Sequence, residues 1–226
     1  LVPGLMSSGE QRYSLRLADV DTSSLQAMGY EVLSLNVSDL KSCLQACQGM
    51  DTVIHLAADA RPDADFHDSL LENNIKGCYN LFQAASEAGC KRVIYASSLQ
   101  VFECYPVDME ITTDMPVLPK NAYGLSKCFG EDVARLFAGK NGLSCTVARI
   151  GHFGEDSLLP GASSRDKRSY LSPADMLRFF VACIEAETGN WAVVHAVSNN
   201  RLLRLSLDSA RQLINYQPED DAFENE

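Results

Sequence analysis

The chain has 226 residues, 46% of them hydrophobic and 22% charged, which is the composition of one folded domain with at most a small appendage and excludes disorder throughout. Its formal net charge of −11 argues against a nucleic-acid partner or an anionic membrane, whose phosphates an acidic surface repels. No apolar run reaches the roughly 18 residues of a membrane span and the chain opens on no signal-peptide pattern, so a cytoplasmic protein with no membrane partner is expected.

Apolar, β-rich runs alternate with helical patterns along most of the length. The predicted strands are Leu15–Val20, Val32–Leu35, Thr52–Leu56, Arg92–Ala96, Cys145–Ile150 and Ala192–Val197. The predicted helices between them are Leu40–Cys47, Asp68–Ala88, Ala122–Ala138 and Pro173–Ala186, with Gly49, Gly89 and Gly142 near three helix ends, where a left-handed cap favours glycine. Strands that are continuously apolar are buried on both faces, as in a sheet covered by helices. The pattern therefore predicts an α/β fold, a Rossmann-type doubly wound parallel sheet. Residues 1–150 are expected to form the core. Residues 151–226 are expected to form a small substrate-side extension that returns a helix and a strand to it. The acidic tail Pro218–Glu226 reads as a solvated, frayed end.

The start is short for such a fold. Only 14 residues precede Leu15, whereas a strand, a glycine-rich turn and a helix need about 30. Leu1-Val2-Pro3-Gly4 reads as the end of a first strand, or alternatively as a tag remnant, and Leu5–Glu10 as the end of a helix. A GxGxxG turn is expected between them and is missing after Gly4.

Cys43, Cys47, Cys78, Cys90, Cys128 and Cys183 lie in apolar or helical stretches without framework spacing. They read as free, mostly buried thiols of a reducing compartment. His55, His67, His152 and His195 are scattered without ligand spacing, so no metal is expected.

Chemistry concentrates in two places. Tyr123-Gly124-Leu125-Ser126-Lys127 opens a helix, where a spacing of four brings phenol and ammonium to one face. A lysine cation so placed is expected to lower the tyrosine pKa from about 10 toward neutrality, with a bound nicotinamide adding to the effect. Val93-Ile94-Tyr95-Ala96-Ser97-Ser98 is a buried strand ending in two hydroxyls, and ligands of open α/β sheets bind at the carboxyl ends of strands. Asp19 ends the strand after the presumed phosphate turn, where a carboxylate can hold an adenosine ribose and repel a 2′-phosphate, favouring NAD over NADP. Asn36-Val37 follows the next strand, near an expected adenine. His55-Leu56-Ala57-Ala58 closes a third with small residues that admit a ligand to the backbone. Singly, these are also an ordinary turn Asp, cap Asn and core His.

In this order, Asp19, His55-Leu56-Ala57-Ala58, Asn74-Ile75-Lys76-Gly77, Ala96-Ser97-Ser98 and Tyr123-Gly124-Leu125-Ser126-Lys127 resemble the extended short-chain dehydrogenase/reductases, which include nucleotide-sugar epimerases and dehydratases. The resemblance covers about residues 15–200. It implies NAD as cofactor, Tyr123 as acid/base, Lys127 binding the nicotinamide ribose and tuning Tyr123, and Ser98 holding the reacting oxygen. It also implies cofactor contacts from Asp19, Asn36, Val37, Leu56, Ala57, Ala58, Asn74 and Ile150.

Within the family the nearest likeness is to uronate dehydrogenases, through Tyr123-Gly124-Leu125-Ser126-Lys127-Cys128-Phe129-Gly130-Glu131 and Ala148-Arg149-Ile150-Gly151, and through the short C-terminal part. That likeness implies a sugar substrate, a hexuronate in particular, with Arg165 or Arg168 pairing its carboxylate. Leu99-Gln100 departs from it, because the uronate enzymes carry Asn-His after the serines. An NDP-sugar epimerase or dehydratase, and a non-catalytic nucleotide sensor, remain the alternatives. A homodimer through the tyrosine helix and Asp68–Ala88 is the family expectation.

Overall fold

Alternate side chains of the central strands point into two different cores, which is why those strands carry no polar alternation. The structure, a computed structural model, describes residues 13–25, 29–154 and 161–224. In chain order it contains β1 (Arg16–Asp19), β2 (Glu31–Ser34), α1 (Leu40–Cys47), β3 (Thr52–His55), α2 (Gly77–Glu87), β4 (Arg92–Ser98), α3 (Ala122–Phe137), β5 (Ser144–Ile150), β6 (His152–Phe153), α4 (Ser164–Arg168), β7 (Tyr170–Leu171), α5 (Pro173–Glu185), β8 (Trp191–Ala196) and α6 (Asp208–Ile214). β3, β4, β5 and β8 form one parallel sheet in that order, and β1 and β2 form a parallel pair. Val93, Tyr95 and Val147 pack against Cys43, Phe82 and Phe137 of α1, α2 and α3. Ile94 and Ala148 pack on the other face against Phe179 and Phe180 of α5 and against Leu205. The doubly wound parallel sheet is therefore present, and β8 returns from the C-terminal segment to pair with β5. The expected first strand, Leu1–Gly4, and the turn after it lie outside the described residues.

The helix expected over Asp68–Ala88 begins earlier and is wound differently. Asp65 caps it by accepting from the backbone N–H groups of His67 (2.8 Å) and Asp68 (3.0 Å). Residues Phe66–Lys76 then form wide i→i+5 turns, a π-helix of 11 residues, before α2 continues as an ordinary helix. Such segments shift side chains around the axis in a way that neither propensity nor apolar spacing reports. Gly89, directly after α2, takes the left-handed conformation (φ +77°) that ends the helix.

The stretch Gly161–Tyr170 contains α4, capped by the Ser163 side chain accepting from Asp166 N–H. The tail is not frayed over its described part. The buried Asp175 carboxylate accepts from the N–H groups of Glu219 (2.9 Å) and Asp220 (3.0 Å), and Asn200 Oδ1 from that of Ala222 (3.1 Å). Ala222 and Phe223 are then buried against Tyr170. Its carboxylates suggested solvent, but the docking groups are backbone amides, which composition does not display.

Candidate active site

The residues singled out from sequence come to the carboxyl ends of parallel strands. Asp19 ends β1, Asn36 lies just past β2, Leu56, Ala57 and Ala58 follow β3, Ser98 ends β4 and Ile150 ends β5. The Leu35 amide donates to Asp19 O (2.9 Å), so the first two stand side by side. A cavity of about 470 Å³ opens at this edge, with Leu56, Ala58, Ser98, Tyr123, Lys127 and Ile150 among its lining residues.

The two serines of β4 diverge. Ser97 turns inward and donates to Glu131 Oε1 (2.6 Å). Glu131 is itself held by Arg149, through Nε (3.0 Å) and Nη2 (2.7 Å), in a buried ion pair behind the cavity wall. Ser98 turns toward the cavity, which Tyr123 also lines, and its Oγ accepts from the Gln100 amide (3.2 Å).

Tyr123 sits in the first turn of α3, which Asn121 caps by accepting from Gly124 N–H (2.7 Å). The same Asn121 donates to Gln100 Oε1 (3.0 Å), tying the helix start to the turn after Ser98. Gly124 permits that approach, since a Cβ there would lie 2.6 Å from Gln100 O. Lys127, one turn on, is buried, donates to Ala96 O (2.8 Å) and lies 5.6 Å from the Tyr123 ring centroid.

The electrostatics correct one expectation. Burial raises the Tyr123 phenol above its ordinary range, the neighbouring Ser98 hydroxyl opposes this, and the Asp59 carboxylate adds to it. Lys127 does not bring the phenol toward neutrality. Its own ammonium is pushed down to about 8 by burial. Burial disfavours the phenolate, and Lys127 Nζ lies against the tyrosine ring, 5.6 Å from its centroid.

Two expected cofactor contacts take other places. Asn74 is buried, with its Nδ2 donating to Asp59 O (3.0 Å) and Ser126 Oγ (2.9 Å) and its Oδ1 accepting from Asp59 N–H (2.8 Å). Both amide hydrogens are taken within the chain, so Asn74 joins the end of β3 to the tyrosine helix. Val37 is a core residue packed under Gly77, where a Cβ would fall 2.5 Å from Val37 Cγ2. Asn36 is exposed, and its Oδ1 accepts from Ser38 N–H (3.0 Å). Asp19 is exposed and accepts from Asp21 N–H (3.1 Å).

The two arginines separate. Arg165 lines the cavity. Its Nε and Nη2 donate to both oxygens of Glu103 (2.7–3.2 Å) and its Nη1 to Asp166 (2.6 Å). Arg168 points elsewhere, donating to Asp108 O (3.0 Å) and Leu203 O (3.2 Å), and cannot pair a ligand in the cavity. Leu99 is a core residue beside Val101 and Phe102 that also touches the cavity, and Gln100 lies next to it.

Sequence reasoning missed Glu103, Asp59 and Asn121. An Asn before a helical pattern is a cap signal and was readable. The other two reach the site only through tertiary contacts. His55 and His195 are buried, each pushed down to about 3 by burial first. Among the described residues no group of His, Cys, Asp or Glu could hold a metal, all eight cysteines are free, and no helix is long and apolar enough to cross a membrane.

The donor set fits NAD. A buried ammonium with one chain acceptor has hydrogens left for ribose hydroxyls, and an exposed carboxylate stands at the end of β1. Residues 2–157 match the NAD dependent epimerase/dehydratase family. The NAD-dependent glucose-6-phosphate dehydrogenase of Haloferax volcanii is 34% identical over 86% of this chain and 78% of its own length. The L-arabinose 1-dehydrogenase (NAD(P)(+)) of the same organism is 31% identical, over 86% of this chain and 84% of its own. The crystal structure of a mutant uronate dehydrogenase from Agrobacterium tumefaciens, complexed with NAD, superposes with a TM-score of 0.81 at 27% identity, covering 92% of this chain and 76% of that one. The strand ends, the tyrosine helix and these matches agree: the chain belongs to the NAD dependent epimerase/dehydratase family and is an NAD-dependent enzyme of the short-chain dehydrogenase/reductase type.

Proposed function

We propose that this protein oxidises a hydroxyl of a small sugar with NAD. The observation that carries the reading is the meeting of Ser98, Tyr123 and Lys127 at one cavity. Bound NAD supplies the hydride acceptor. Ser98 holds the substrate hydroxyl oxygen, and Tyr123, once deprotonated, removes its proton as the carbonyl forms. Lys127 would hold the nicotinamide ribose and contribute positive charge to the site. Leu56, Ala58 and Ile150 of the cavity wall would hold the nicotinamide, and Asp19 would hold the adenosine ribose. The relatives that act on glucose 6-phosphate, L-arabinose and uronates support a sugar substrate.

The same reading places the protein in the cytoplasm as a homodimer. Free thiols among apolar residues support a reducing compartment. Leu71 and Tyr79, on the helical run Phe66–Glu87, and Leu125 and Leu136, on the adjacent α3, are 39–57% exposed, which supports self-association of that face.

Absorbance of NADH, measured with aldoses, uronates and nucleotide sugars in parallel, tests the function. Steady NADH formation with a free sugar is expected. Conversion of nucleotide sugars alone, without net NADH, would replace the dehydrogenase by an epimerase.

A further inference from the structure

Among the described residues the cavity wall carries one guanidinium, and the chain has already filled it. Arg165 presents its Nε/Nη2 edge to both oxygens of Glu103 and its Nη1 to Asp166. The pair is largely shielded, with side-chain exposures of 22% for Arg165 and 15% for Glu103. A planar fork of this kind recognises a carboxylate bidentately, and here the carboxylate belongs to the protein. Glu103 lies just past the turn Leu99–Phe102 and Arg165 in α4, so both partners are carried by ordered secondary structure. Two neighbouring arginines do not replace it. Arg168 holds Asp108 O and Leu203 O, and buried Arg204 holds Pro106 O and Tyr105 O. Neither lines the cavity.

An anionic sugar that pairs with this guanidinium has to displace Glu103, an intramolecular competitor at high effective concentration, and leave that carboxylate unpaired beside its own charge. An uncharged sugar meets no such competitor. We propose that Glu103 is a specificity-determining residue: by occupying Arg165 it makes this cavity select an uncharged sugar over the corresponding sugar acid. The inference rests on the sugar dehydrogenase reading and narrows its substrate class, against the hexuronate that the likeness to uronate dehydrogenases implies.

The test compares glucose, galactose and arabinose with glucuronate and galacturonate, for the wild type, Glu103→Gln and the double variant Glu103→Gln/Arg165→Met. NADH formation is one readout. Calorimetric binding of each sugar to the NAD-loaded protein is the other. The wild type is expected to favour the uncharged sugar over its acid by about tenfold or more in kcat/KM and in affinity. Glu103→Gln is expected to narrow that ratio by about tenfold, mainly through KM for the acid, and the double variant to lose the gain. The wild-type ratio needs no substitution, so it decides the matter even if Glu103→Gln folds poorly. A wild type that binds or turns over the acid as well as the uncharged sugar overturns the proposal, as does a Glu103→Gln protein with an unchanged ratio. Selective binding of the uncharged sugar with no NADH formed would uphold charge selection and discard the dehydrogenase reading instead.

Discussion

Asn74 and Ser126, 52 residues apart in sequence, share a buried hydrogen bond of 2.9 Å that fastens the end of β3 to the tyrosine helix. Ser126 Oγ in turn donates to Tyr123 O (2.7 Å), so the amide of Asn74 reaches the backbone of the candidate acid/base through one intermediate.

Asn74→Ala removes three hydrogen bonds and leaves Asp59 and Ser126 groups partly unsatisfied. A loss of about 2 kcal/mol in urea unfolding is expected. Because Tyr123 is then less firmly placed, kcat should fall more than NAD affinity. A variant as stable as the wild type would show that the link carries no load.

Tyr123→Phe keeps the ring and removes the proton acceptor. Turnover should drop by about 10²–10⁴, while the dissociation constant for NAD, read by titration, stays within a few-fold. Retention of half the activity would remove Tyr123 from the chemistry.

The pH profile follows from the same residue. Burial holds the phenol above its ordinary value in the free protein, so the base form is scarce at neutral pH and grows as pH rises. In the oxidative direction kcat/KM for NAD, which reports the free enzyme, should therefore climb through the alkaline range. A profile already flat at pH 7 contradicts the protonated phenol.

Lys127 has a folded pKa depressed by burial from 10.5 to about 8, so the folded state binds fewer protons than the unfolded chain between those values. Stability from this group is complete above 10.5 and is lost as pH falls through 8, a penalty at neutral pH of roughly 3 kcal/mol. Lys127→Met forfeits the bond to Ala96 O, worth about 1 kcal/mol, and should still raise Tm at pH 7 while abolishing turnover. A lower Tm at pH 7 would mean that the buried ammonium is better solvated than its surroundings suggest.

Asp19→Ala removes a carboxylate that can hold the adenosine ribose and repel a 2′-phosphate. The NAD over NADP preference should narrow by about tenfold, 1.4 kcal/mol. A wild type that already prefers NADP refutes the placement of Asp19.

The sheet and the tyrosine helix were legible in the chain because their signals are local. Continuous apolar runs specify strands covered on both sides, and Tyr123 and Lys127 share a helix face by spacing alone, so β3 to β5 and α3 lie within two residues of where periodicity puts them. The ordering of short motifs carried the cofactor as well, since Asp19, His55-Leu56-Ala57-Ala58 and Ala96-Ser97-Ser98 fall at the ends of parallel strands and parallel strands deliver their ends to one edge. Charge pairing was not legible. Nothing in the sequence distinguishes Arg165 from Arg168, three residues apart on α4, yet one lines the cavity against Glu103 and the other holds backbone carbonyls. The Tyr123 pKa went the same way: spacing showed a cation nearby but not how much water burial removes. Tertiary structure alone settled these points, because guanidinium direction and desolvation depend on neighbours that chain distance does not encode.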